Sequence, residues 1–439
     1  MRIFVDLFMQ IYAIFFMLRS VIAPIFCVIL SQWVSLNAAT IIEDLGDQKY
    51  QFIVDGAAFK VKGVAGDGSL ELLSTFKGNT MRTWAIEDQG EAFLDQAHRL
   101  GIKIIAGLWV EHERHGHDYD DEAFVLEQRN KILSNVLKYK DHPSILAWGL
   151  ANEAELRLNQ GEAVEMWKEI NLIAKMVKDV DPDHPIITAV AGFNQLKIDT
   201  IKEHYPNIDI LGVNGYGFAP IIGNLLKEYS WDKPYMITEF GPLGPWEGVE
   251  ETSWGAPIEE TSHQKAQRYA LAHIKAMDAE PGHCLGTFPF YWGYKQETTT
   301  TWFGMLLPGG EHLAAVDAMA HAWHGEYPQN RVPEIQALES KAKSAKIAKR
   351  SRQKASLKVI DHENDPLKYR WVIMEESKVE SMGGDFEETP KSFPKLIIGQ
   401  DGPNVDFKAP SKKGAYRLFA YVVDPNKGAA TANFPFYVK

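Results

Sequence analysis

An alternation constrains this chain more than anything else. From residue 58 to residue 291, short apolar runs of strand length are separated by amphipathic stretches of helix length. The strand-like runs fall at 58–64, 80–84, 102–110, 145–150, 186–190, 208–213, 235–238 and 284–291. Helical patterning fills 91–100, 122–138, 161–180, 196–204 and 259–277. Strands buried on both faces read as continuous apolar runs, and parallel strands need a crossover helix between them. Eight such units predict an α/β fold, a (β/α)8 TIM barrel. A doubly wound open sheet is the alternative, but no Gly-rich phosphate loop follows the first strand. Ahead of the barrel, 50–54 and 58–64 read as a hairpin turning at Asp55-Gly56. The second arm is expected to continue as the first barrel strand.

The texture changes after Pro333. Residues 339–354 are rich in Lys, Arg and Ala, and beyond Ser356 short alternating strands (369–374, 415–423, 433–438) are punctuated by Asn, Asp, Gly and Pro clusters. This predicts a C-terminal all-β, immunoglobulin-like sandwich. The expected organisation is a leader over 1–39, a barrel domain over 40–330, a linker or basic segment over 331–355, and the sandwich over 356–439.

In the leader, Arg19 precedes the apolar run 21–30, and a more polar stretch ends at Ala38-Ala39. That run is short for a bilayer span, so it reads as a signal peptide and predicts export to a periplasmic or extracellular space. A membrane anchor is the alternative, disfavoured by the charges of Asp6 and Arg19. Leader removal would leave Cys284 without an intrachain disulfide partner. A net charge of −12 argues against nucleic acid and against an anionic membrane surface as partners.

Barrel active sites lie at the C-terminal ends of the strands, and polar chemistry occupies nearly all of those ends here. The second strand ends in Arg82-Thr83-Trp84 and the third runs toward Glu111 and His112. The fourth ends in Asn152-Glu153, the sixth in Asn214-Gly215-Tyr216, the seventh in Glu239 and the eighth in Tyr291-Trp292. Glu153 and Glu239 are 86 residues apart (239 − 153), close to three βα units of roughly 30 residues. Two carboxyl groups facing each other across a barrel mouth suit glycosidic bond cleavage. A retaining enzyme holds them about 5–5.5 Å apart, one as nucleophile and one as acid, then base. Arg82 and Tyr216 are candidates to support an ionised Glu239, and Asn152 and Asn214 to position the sugar. Trp84 and Trp292 could provide a floor for its apolar face, and His112 could line the groove.

His112, His115 and His117, with Glu111, Glu113 and Asp118, form a competing candidate metal site. The spacing His-x2-His-x-His matches no zinc signature, so no metal and no cofactor are expected. Asp361 and Asp365 could offer oxygens to calcium, although a solvated acidic turn accounts for them as well.

Two of these stretches carry a family resemblance. Ala-Trp-Gly-Leu-Ala-Asn-Glu at 147–153 resembles the acid/base motif of retaining glycosidases with carboxylates on strands four and seven. Ile-Thr-Glu-Phe-Gly at 237–241 resembles their nucleophile motif. Val-Lys-Gly-Val at 61–64 and Asn-Thr-Met-Arg-Thr at 79–83 are similar to the first two strands of the glycoside hydrolase family 2 barrel, so the resemblance covers roughly 50–325. It implies an O-glycosidase acting by double displacement on a β-linked oligo- or polysaccharide, and the leader an exported one. Glu153 would be its acid/base, Glu239 its nucleophile, and Arg82, Asn152 and Tyr216 their support. Members of that family carry two β domains before the barrel, for which there is no room here. The second strand is equally similar to endo-β-mannanases, and the compact layout to β-glucanases and glucanosyltransferases. Transglycosylation at the same site, and a non-catalytic glycan-binding scaffold, are the alternatives.

Overall fold

The computed structural model describes residues 39–279, 282–379 and 384–439, and the statements below concern those residues. The leader read over 1–39 lies, but for its last residue, outside them. Among the described residues no helix is long and apolar enough to cross a membrane.

Eight parallel strands close into a barrel in chain order: Gly63–Gly66, Thr80–Arg82, Lys103–Leu108, Ile145–Asn152, Ile186–Ala191, Ile210–Asn214, Tyr235–Phe240 and Cys284–Trp292. We call these barrel strands one to eight. Their residues are buried almost throughout because crossover helices cover the outside while side chains fill the inside. Helix starts follow local chemistry. Asp121 caps the helix Glu122–Tyr139 by accepting from the amides of Ala123 and Phe124, and Asn194 caps Gln195–His204 through Lys197. The short helices Leu70–Thr75, Ile222–Glu228 and Ala314–His324 went unread in the sequence. The first two are too short to show a helical period, and the third is alanine-rich and buried over most of its surface.

The N-terminal hairpin departs from expectation. Lys49–Val54 pairs with Ala57–Phe59, and the turn at Asp55-Gly56 holds as read, with φ of 52° and 79°. The second arm ends at Phe59, however, and strand one begins only at Gly63. A further strand, Thr40–Gly46, completes this small antiparallel sheet. The sheet closes the barrel floor, where Phe52 and Val54 pack with Val61, Ile105, Met236 and Leu285.

The C-terminal region is two facing sheets. One orders Gly428–Val438, Gly414–Val423 and Lys368–Glu375, with the short strands His312–Leu313 and Lys346–Ile347 both on Gly428–Val438. The other orders Glu334–Ser340, Arg352–Ile360, Asn404–Lys408 and Ile397–Asp401. Trp371, Phe407, Leu418, Phe434 and Phe436 fill the space between them. The stretch 331–355, expected as a linker or basic segment, carries paired strands instead. Lys346, Arg352 and Lys354 sit at exposed strand positions, while Lys341, Lys343, Lys349 and Arg350 occupy the turns between strands, and this basic run disguised the alternation. Asp361, Asp365 and Asp424 gather carboxylate oxygens within 4.8 Å of one another, and backbone amides donate to one oxygen each of Asp361 and Asp424.

Sandwich and barrel are joined through buried polar groups. Glu259 accepts from Lys265, Thr299, Thr301 and Asn433, while Arg417 of the sandwich donates to Asn433 (2.7 Å), to the Pro257 carbonyl (2.8 Å) and to Glu376. Burial pushes the Glu259 carboxyl up, but the charges of Lys265 and Arg417 outweigh it and hold the group below its ordinary value. Removing one member strands the others in a desolvated site. Glu259→Ala is expected to cost about 3–5 kcal/mol, read as a lowered midpoint in urea unfolding, whereas Lys354→Ala, on an exposed ion pair, should leave that midpoint within error.

Candidate active site

Arg82, the last residue of barrel strand two, is 3% exposed and spans the barrel mouth. Its Nη1 donates to Glu239 Oε1 at 3.0 Å and to the Thr238 carbonyl at 3.1 Å, and its Nη2 donates to Asn152 Oδ1 at 2.6 Å. Strands two, four and seven therefore meet at one guanidinium. Glu239 is further held by Tyr216, whose hydroxyl donates to Oε2 at 3.1 Å, and by Trp84, whose indole N–H lies 3.3 Å from Oε1. Burial and the nearby Glu239 charge raise the Tyr216 phenol well above its ordinary range, so it stays a donor. Gly107 makes the Trp84 contact possible. A Cβ there would come within 2.1 Å of the Trp84 backbone, so strand three must be bare at this point.

Glu153 has a different setting. Strand four ends in a sharp turn, with Ala151 and Glu153 at φ of 64° and 52°. Neither residue favours that left-handed region, which costs about 1–3 kcal/mol per residue and is concentrated at functional sites. The turn is held by the Glu153 amide donating to the Ala189 carbonyl at 2.8 Å. It presents the Glu153 carboxyl to the cavity, where Asn214 Nδ2 donates to Oε1 at 2.8 Å. Thr238 donates in turn to Asn214 Oδ1 at 2.8 Å, fixing which way the amide faces. Burial and then the charge of Glu239 raise the Glu153 carboxyl to about 8, against the opposing pull of Asn214 and Arg82. One carboxyl thus sits beside a guanidinium, a phenol and an indole, and the other is placed to hold a proton at neutral pH.

These groups line a cavity of about 800 Å³ at the barrel mouth, within the usual size range of small-molecule sites. Of the residues singled out in the sequence, Trp84, Asn152, Glu153, Asn214, Tyr216 and Glu239 line it together, and Arg82 lies directly behind Glu239. Two are placed elsewhere. Trp292 is 1% exposed and its indole N–H donates to the Ser69 carbonyl at 3.1 Å; its neighbour Tyr291 faces the cavity and stacks on Trp84 at 5.8 Å. His112 is buried between Trp109 and His115, with ring centroids 5.0 and 5.3 Å away. Burial and the Arg114 charge lower its pKa to about 4. The histidine cluster does not converge as a ligand set would: His117 turns away to Glu111 and Phe124. Sequence reasoning missed Arg114, Arg157, Trp246 and Asp385 on the cavity wall. The first three sit in long connections without periodicity, and Asp385 arrives from the other end of the chain.

A model of the glycosyl hydrolases family 2 TIM barrel domain matches residues 55–266, a span that contains both glutamates and every group that holds them. This is a glycoside hydrolase family 2-like barrel. The family 2-like chain is 27% identical over 248 residues to mannan endo-1,4-beta-mannosidase 1 of Oryza sativa subsp. japonica, covering 36% of this chain and 56% of that one. It is also 27% identical over 161 residues to a beta-glucuronidase of Paenibacillus borealis, covering 31% and 26%. In fold it is similar to the Bifidobacterium dentium beta-glucuronidase complexed with coumarin-3-O-glucuronide, with a TM-score of 0.50 at 17% identity over 66% of this chain and 50% of that one. The family 2-like chain thus spans about half the length of the rice mannosidase and of the solved glucuronidase.

The unlike settings of the two carboxyls predict a coupled titration. Followed by carboxyl 13C NMR, Glu153 should titrate well above the ordinary glutamate range. In Glu239→Gln its pKa should fall, because the charge that helps to raise it is gone, yet remain elevated because burial persists.

Proposed function

We propose that the protein is a retaining β-glycosidase acting on a β-linked oligo- or polysaccharide, with Glu239 as nucleophile and Glu153 as acid/base. The observation that carries this reading is the division of labour between the two carboxyls. Glu239 is met by Arg82, Tyr216 and Trp84, the donors an attacking carboxylate needs. Glu153 is kept protonated by burial and by the charge of Glu239. Retaining hydrolysis requires both states at once in one site.

In the first step a Glu239 oxygen attacks the anomeric carbon, and the bond from that carbon to the leaving oxygen breaks. Glu153 gives its proton to that oxygen, and the glycosyl ester of Glu239 forms. With the ester neutral, the charge that raised Glu153 is gone, so the ionised acid/base becomes stable and can serve as base. It takes a proton from an incoming water, whose oxygen attacks the anomeric carbon and returns Glu239 as carboxylate. Asn152 accepts from Arg82 and Asn214 through its oxygen. Its NH2 is thereby presented to a sugar hydroxyl, a contact that strengthens as positive charge develops on the ring. Trp84 and Tyr291 offer the aromatic wall. The steps need no cofactor. If a sugar hydroxyl replaces water in the second step, the same residues carry out transfer.

The named activities of the rice and Paenibacillus proteins make β-mannan oligosaccharides and aryl β-glucuronides the first substrates to try. The leader-like residues 1–39 support an exported enzyme.

A panel of β-glycans and aryl β-glycosides, read by product mass, tests the proposal. Glu239→Ala should lose about 10⁴-fold or more in kcat while still binding sugar. Absence of turnover by the wild type on every member, with glycan binding intact, would establish a binding scaffold instead. For kcat/KM, the sign of the Glu153 shift predicts loss of activity as pH rises through about 8, since the acid must enter the first step protonated. In Glu153→Gln that alkaline limb should vanish, and the rate should recover most on substrates whose leaving group needs no proton.

A further inference from the structure

The rim of the barrel is uneven. The connections after barrel strands one and two are residues 67–69 and 83–90, shorter than those after strands three and eight, 109–121 and 293–311, and after strand seven, 241–261. This leaves a gap in the wall above strands one and two, opposite strands five and six. The gap is filled by residues 384–387, which belong to the C-terminal sandwich.

Three attachments fix this segment across the gap. Asp385 accepts from both terminal nitrogens of Arg114, at 2.7 and 3.0 Å, and lies 3.2 Å from His115 Nε2, all on the strand-three connection. On the strand-eight connection, Lys295 Nζ donates to the Gly384 carbonyl at 2.8 Å, and the Thr298 amide donates to the buried Glu387 at 2.8 Å. Gly384 has φ of 74°, which favours glycine and lets the chain turn here. Gly384 and Asp385 line the same cavity as Glu153 and Glu239. Asp385 keeps 44% of its side chain exposed although Arg114 is 7% exposed, so its carboxylate retains acceptor capacity facing the cavity. Between the two anchored acids, Phe386 is 91% exposed. A fully exposed phenylalanine contributes nothing to a core, and here both of its neighbours are pinned.

We propose that residues 384–387 form a distal sugar subsite of the barrel cleft, in which the Asp385 carboxylate accepts from sugar hydroxyls and the Phe386 ring receives the apolar face of a further ring. The C-terminal sandwich is then part of the substrate site, and the ligand is an oligosaccharide long enough to run from the paired glutamates to the rim. An aromatic face and a charged acceptor on an immobilised loop is a cheap arrangement for binding, because little side-chain freedom remains to be lost.

This inference deepens the glycosidase reading and rests on it for the class of ligand, but its test reads binding, not turnover. In the Glu239→Ala background, dissociation constants would be measured by calorimetry for β-1,4-linked manno- and gluco-oligosaccharides of two to six rings. Asp385→Ala and Phe386→Ala would be added singly, with thermal midpoints compared to confirm folding. The expected result is a loss of affinity that grows with chain length, reaching about tenfold on the longest members. Asp385→Asn, which keeps an acceptor oxygen, should recover part of it. A loss of equal size at every length would make the segment a structural strut and overturn the subsite, as would the absence of any loss or of any oligosaccharide binding. Failure of the glycosidase reading shows separately, as absent turnover by the wild-type protein on the glycan panel.

Discussion

The site depends on one buried guanidinium. Arg82 is connected to three strands that are far apart in sequence, and each of its contacts fixes something different. Toward strand seven it neutralises Glu239 and grips the preceding carbonyl. Toward strand four it takes the Asn152 oxygen and so decides which face of that amide meets the cavity. A planar fork with donors at set angles suits this task, and a lysine could not reach both partners in fixed geometry. Such a charge is stable in the barrel only because Glu239 answers it; either one alone would be a desolvated, uncompensated ion. Cation and anion therefore hold each other in place.

A proton asymmetry follows from that pairing. Arg82, Tyr216 and Trp84 all address Glu239, whereas Glu153 receives Asn214 and stands in the field of the charged Glu239. Two chemically identical side chains are driven apart by their surroundings, and this is how one site can hold an acid and a nucleophile at the same pH. The asymmetry also reverses by itself. In the proposed mechanism esterification of Glu239 removes its charge, so the Glu153 carboxylate left after proton transfer is no longer opposed by it.

Much of this was legible in the sequence, for identifiable reasons. Barrel strands buried on both faces are written as apolar runs, so 145–150 and 235–238 could be located without a structure, and the polar residues after them stood out. Glu153, Glu239, Arg82 and Tyr216 were found because strand ends map onto one face of a barrel. Trp292 was misplaced because a strand end has two phases one residue apart, and the phase that faces the cavity belongs to Tyr291. His112 was misplaced because a histidine after a strand can equally be packed beneath the rim, as its stacking on Trp109 and His115 shows. The strand at 352–360 was hidden by the exposed Arg352, Lys354 and Lys358 that alternate with its inward residues. Asp385 could not have been found by local reading, since it lies 271 residues from the arginine that holds it.

In the proposed mechanism a covalent bond forms at one oxygen of Glu239. A 2-deoxy-2-fluoro β-glycoside with an activated leaving group, of whichever sugar the wild type cleaves, should slow the second step and let the glycosyl-enzyme accumulate. Peptide mass spectrometry of the inactivated protein is predicted to find the fluorosugar on Glu239 and on no other residue. A label on a different residue, or turnover that releases inverted product with Glu239 unmodified, would contradict it.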